Sequence, residues 1–134
     1  VVGVVAQSRR SARGYEEELR RRELAVARAL TQILPSDRRV TVGELAEARR
    51  VLANALRDLR QLERQVANDI RQLKGRTGTN GGGPARARSG ASQARELTAF
   101  EAASDAIEEV LARWEGRRDQ LAAEIQRRGT RNRR

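Results

Sequence analysis

Residues 42–74 read VGELAEARRVLANALRDLRQLERQVANDIRQLK, and Leu45, Leu52, Leu59, Val66 and Leu73 recur in that stretch at every seventh position. A second row, Ala48, Ala55, Leu62 and Asp69, runs beside the first, and Leu56 and Ile70 widen the same face. An α-helix turns once in about 3.6 residues, so this three-four alternation lays its apolar side chains along one stripe. It is the pattern of helices packed lengthwise, nearly parallel or antiparallel.

Two more segments carry the period. Upstream, Val5, Ala12, Leu19, Val26 and Ile33 form a seam beside a weaker one of Val1, Ser8, Tyr15, Arg22 and Ala29. Downstream, Leu97, Ser104, Leu111, Arg118 and Ile125 alternate with Phe100, Ile107, Trp114, Leu121 and Arg128. The punctuation agrees with three helices. Pro35 stops the first, since proline lacks the amide a helix interior needs. Thr41-Val42-Gly43-Glu44 fits a capping box at the start of the second. Lys74-Gly75 reads as its end, Ser92 as the cap of the third and Gly129 as its stop. The expected organisation is one domain with helices at about 1–34, 42–74 and 93–128. A flexible Gly/Arg linker over 75–92 and a basic tail over 129–134 complete it.

Lengths constrain the topology. The second and third helices would each be roughly 50 Å long. The connector from Pro35 to Thr41 is too short to run back along a helix, so the first two helices are antiparallel. The fold class expected is all-α, an up-down-up three-helix antiparallel bundle or coiled-coil hairpin. The alternative is a long two-helix coiled coil with a looser first helix. The buried anchors expected are Leu52, Leu59, Leu62, Phe100, Ile107, Leu111 and Trp114. Arg22, Asp69 and Arg118 fall at core-facing positions, where a charge needs a partner or a route to water. The expected register pairs Arg22 with Asp58 and Arg118 with Glu47.

The formal net charge is +10, and Lys74 is the single lysine. Such a chain is drawn to polyanions or acidic partners. Six of the ten surplus charges fall in 75–92 and 129–134, whereas 93–128 carries six Arg against eight carboxylates. Arg76, Arg86 and Arg88, with Arg127, Arg128, Arg131, Arg133 and Arg134, form two basic arms expected to be mobile. Arms of this kind bind phosphate backbones by counterion release. With no aromatic residue among them to stack on bases, they would not read sequence. Glu16, Glu17 and Glu18 each precede an Arg by four residues, the stabilising order on a solvated helix face.

The residue types for most catalysis are missing. The chain has no His and no Cys. No general base stands near a hydroxyl nucleophile, and no thiolate or imidazole is available for metal or redox work. Glu101, Asp105 and Glu108 share one stripe, but a di-iron bundle would also need Glu-x-x-His pairs. The Gly-rich run 75–83 lacks the strand and the Gly-Lys-Ser/Thr of a phosphate loop. The expectation is a non-enzyme without cofactor or metal.

Trp114-Glu115-Gly116 resembles the W-x-G motif of small secreted helical-hairpin proteins, where it occupies the turn between two helices. Here it falls inside an uninterrupted heptad, which places Trp114 in the core instead.

Val1–Ala6 is apolar and is followed by Arg9, Arg10 and Arg13. That order fits the last turns of a membrane helix and its cytoplasmic flank. The leading functional expectation is a helical scaffold or protein-interaction module with a protein partner or self-association. It would be cytoplasmic or on the cytoplasmic face of a membrane, attached there through a segment before Val1. The alternative is a basic accessory protein that binds nucleic acid non-specifically through its Arg-rich arms.

Overall fold

In the computed structural model, which describes residues 10–78 and 84–132, the chain forms three α-helices, with no strand among the described residues. They are α1 (Ala12–Ile33), α2 (Val42–Gly78) and α3 (Pro84–Asn132), and each packs against the other two. The α2–α3 contact is the most extensive.

Helix α1 starts at an N-cap that sequence reading had not singled out. The Ser11 hydroxyl accepts the Gly14 amide at 3.0 Å, satisfying one of the donors a first turn leaves open. It ends at Ile33, two residues before Pro35. The capping box of α2 is formed as its sequence implies. The Glu44 amide donates to Thr41 Oγ1 at 3.1 Å, and the Thr41 amide donates to Glu44 Oε1 at 2.9 Å. Arg38 adds a two-pronged grip on the Glu44 carboxylate, at 2.9 and 2.6 Å. This hydrogen bond, followed by that from the Thr41 amide, holds the Glu44 carboxyl down at about 2. The carboxylate therefore supports the fold above its ordinary value of 4.5, and the support fades as pH falls toward 2.

The expected boundaries of α2 and α3 are corrected. Helical backbone continues through Gly75 to Gly78 and resumes at Pro84, so most of the linker expected over 75–92 is helix. Only 79–83 of it lies outside the described residues. A glycine costs a helix only about 1 kcal/mol, and proline suits a first helical position, with Ala and Arg after it favouring continuation. Ser92 and Gly129 are likewise inside α3 rather than cap and stop, and the helix runs on through part of the expected basic tail. The part of the first helix expected over Val1–Arg9 lies outside the described residues.

The core is alkyl and aromatic, with no buried polar or charged residue among those described. Leu52, Leu59 and Leu62 of α2 are at most 1% exposed, and Phe100, Ile107, Leu111 and Trp114 of α3 are all buried. Trp114 lies inside α3 with Gly116 helical beyond it, so no turn accompanies the W-x-G residues. Tyr15, Leu19 and Val26 are the contribution of α1.

The buried stripe of α3 runs through Phe100, Ala103, Ile107, Val110, Leu111, Trp114 and Leu121, so the expected face is widened by Ala103 and Val110, while Ser104 and Arg118 stand half-exposed at its edge. That edge position removes the problem of a charge in the seam. Arg118 reaches Asp119 at 3.3 Å instead of Glu47, and Arg22 reaches Glu18 at 3.0 Å instead of Asp58. A carboxylate on the same helix is held within reach by the helix backbone itself, as at the four-residue spacing of Glu18 and Arg22. Asp69, the third seam charge, finds a partner across the bundle, accepting the Tyr15 hydroxyl at 2.6 Å.

Candidate interaction surface

The eight arginines expected to form mobile arms are distributed differently. Arg76 belongs to α2, and Arg86, Arg88, Arg127, Arg128 and Arg131 belong to α3. Arg133 and Arg134 lie outside the described residues. Arg127 and Arg128 both grip Glu124, Arg128 at 3.1 Å. Arg128 also donates to the Val40 carbonyl, tying α3 to the connector before α2. Its side chain is 17% exposed, so it staples the fold and does not reach for a ligand. Two guanidiniums beside Glu124, Arg128 first, hold that carboxyl below its usual range.

The structure singles out another arginine set, on the outward pole of α2. Arg50, Arg57, Arg64 and Arg71 are all exposed and recur every seven residues. At 1.5 Å per residue they stand about 10.5 Å apart in a row roughly 32 Å long. None of the four forms an ion pair with a described residue. Ala46, Ala53 and Ala67 flank the row on one side, and Asn54, Gln61 and Asn68 on the other. The heptad reading contained this row, since it occupies the position opposite the seam.

On α3 the exposed side is acidic. Glu101, Asp105, Glu108 and Glu109 are exposed, and none forms an ion pair with a described residue. Glu115 continues the row and meets Arg60 of α2 at 3.6 Å. Arg113, on the opposite flank of α3, turns to α1 and pairs with Glu23 at 3.3 Å. These bridges orient the bundle: Arg60–Glu115 spans the side of the α2–α3 pair turned away from α1, and Arg113–Glu23 the side facing it. Apart from Glu115, the acidic stripe makes no ion pair with the described residues of the other two helices.

Between α1 and α3 lies an open groove of about 500 Å³ lined by Leu24, Val26, Ala27 and Leu30 with Trp114 at its floor. Leu24 is 52% exposed there, the most exposed large apolar side chain among the described residues. No group of three or more His, Cys, Asp or Glu among the described residues is placed to hold a metal ion. No helix among them is long and apolar enough to cross a membrane. Compared with protein-family models, curated proteins and solved structures, the chain matches none.

Proposed function

We propose that the protein is a non-enzymatic helical scaffold or interaction module, built up-down-up and acting through the outer faces of its helices. The arrangement is supported by cross-helix contacts that run oppositely along the chain. Tyr15 near the start of α1 meets Asp69 late in α2, and Arg128 near the end of α3 meets Val40 before α2. Tyr15 also stacks edge-on against Phe100 early in α3, at 5.9 Å between ring centres, as parallel α1 and α3 require.

The observation that carries the functional reading is the division of labour between inside and outside. The core is all alkyl and aromatic, so polar chemistry is confined to the surface. There, exposed charges of opposite sign form two ordered rows, and Arg50, Arg57, Arg64, Arg71, Glu101, Asp105, Glu108 and Glu109 make no ion pair with a described residue. Charge held on rigid helices, already fixed in direction, recognises a partner at less entropic cost than charge on a loop. A membrane tether ahead of Val1 belongs to the same reading, as does a cytoplasmic setting.

The alternative, non-specific nucleic-acid binding, is favoured by one observation, the unpaired row on α2. Binding to generic duplex DNA separates the two. The scaffold reading expects no measurable affinity at about 0.05 M salt, where phosphate contacts are strong. Affinity that falls steeply with salt and disappears in an Arg50→Gln/Arg57→Gln/Arg64→Gln/Arg71→Gln variant would overturn it in favour of the alternative.

A further inference from the structure

We infer that the occupant of the charged side of the α2–α3 pair is a second copy of this chain, docked so that the arginine row of each copy meets the acidic row of the other. The inference rests on the interaction-module reading and names the partner of that surface.

The match is one of sign, period and place. Arg50, Arg57, Arg64 and Arg71 repeat every seven residues on α2, and Glu101, Glu108 and Glu115 do so on α3. Both rows therefore have the same step of about 10.5 Å, and two helices laid side by side keep them in phase. Asp105 and Glu109 broaden the acidic row, whose edges carry Arg118, bound to Asp119, and Arg113, bound to Glu23. A nucleic-acid backbone offers no such seven-residue period.

Both rows flank the Arg60–Glu115 bridge, on the side turned away from α1. A copy rotated by a two-fold axis and laid on that side puts α2 over the partner's α3 and α3 over the partner's α2. One such contact brings Arg57, Arg64 and Arg71 within about a turn of the partner's acidic row, in both directions at once, and closes at the dimer. The small side chains of Ala46, Ala53 and Ala67 beside the arginines leave room for the approach. The overall charge of +10 opposes association, but six of those charges fall in 75–92 and 129–134, outside both rows. Between Glu101 and Asp119, α3 carries six carboxylates against three arginines.

Exposed ion pairs are individually weak and screened by salt, so the dimer is weak and salt-sensitive. Sedimentation equilibrium of the full chain reads it directly. The association constant is expected to fall roughly tenfold or more between about 0.01 M and about 1 M salt, as the screening length drops from about 30 Å to about 3 Å. Arg57→Glu/Arg64→Glu and Glu101→Arg/Glu108→Arg should each be monomeric at low salt with unchanged helical circular dichroism. An equimolar mixture of the two should dimerise again, because each restores the complement of the other. If a swap variant loses helicity, Arg57→Gln/Arg64→Gln and Glu101→Gln/Glu108→Gln replace the pair and must each lose the dimer. A wild-type chain that is monomeric at about 0.01 M salt overturns the self-pairing, as does a dimer that the substitutions leave intact. Either result leaves the scaffold reading standing, whereas the duplex-DNA measurement bears on that reading itself.

Discussion

Leu59→Ala is expected to lower the free energy of unfolding by about 2–5 kcal/mol. Leu59 is wholly buried in α2, within a core cluster to which all three helices contribute. Truncation removes the transfer free energy of the lost carbons and leaves a void that rigid helices only partly close. The neighbours in its seam, Leu52 and Val66, are also wholly buried and belong to the same tightly packed stripe. Urea unfolding should show a lower midpoint with an unchanged slope. A cost below about 1 kcal/mol would mean that the leucine-rich core is loosely packed, as cores built from one residue type are prone to be.

Tyr15→Phe is expected to cost about 1–3 kcal/mol, the range for losing a hydrogen bond to a charged acceptor. The substitution keeps the edge-on contact with Phe100 and removes only the hydroxyl that Asp69 accepts at 2.6 Å. It strands a half-buried carboxylate at a seam position, so adding Asp69→Leu to Tyr15→Phe should recover much of the loss. Additive losses in that double variant would contradict the coupling. The pair also sets a pH dependence. Burial first, and then the bond to Asp69, push the Tyr15 hydroxyl well above its ordinary value of 10.0. The unfolded chain then ionises before the folded one, so this contribution is complete below pH 10 and fades as pH rises beyond it. The alkaline fade should be absent in Tyr15→Phe.

The sequence of α2 is legible because every one of its positions does one job. Its seam residues are apolar apart from Asp69, four successive positions of its outward pole are Arg, and Thr41 and Glu44 mark its start by bonds that need only local geometry. α3 is less legible because its period is shared between two candidate stripes. Small Ala103 and Val110 compete with Ser104 and Arg118 for the interior, and only packing against α2 and α1 decides in favour of the former. The helix bounds near Gly75 and Ser92 differ from those expected for a related reason. Glycine and serine are local signals, and pairing along the α2–α3 contact outweighs a cost of about 1 kcal/mol at one residue. The tail arginines illustrate the limit for sites. Charge counts mark Arg128 as surplus, but its grip on Glu124 and on the Val40 carbonyl depends on which residues the fold brings to that end. The reverse holds for the α2 row, whose residues were in view throughout but gain meaning only once α3 leaves them unpaired.

The proposed up-down-up arrangement is the frame for the charged rows and the self-pairing alike, and thiol cross-linking tests it without background because the chain has no cysteine. An Arg60→Cys/Glu115→Cys variant replaces a pair that meets at 3.6 Å. A Glu47→Cys/Glu101→Cys variant places its thiols more than twenty residues out of step along an antiparallel α2–α3 pair, or roughly 30 Å apart. With a short bis-maleimide at about 1 M salt, where copies are screened from one another, the first variant should give an intramolecular cross-link and the second should give none. An intramolecular cross-link between positions 47 and 101 would mean that α2 and α3 run parallel, a register in which 60 and 115 also meet, and would contradict the account.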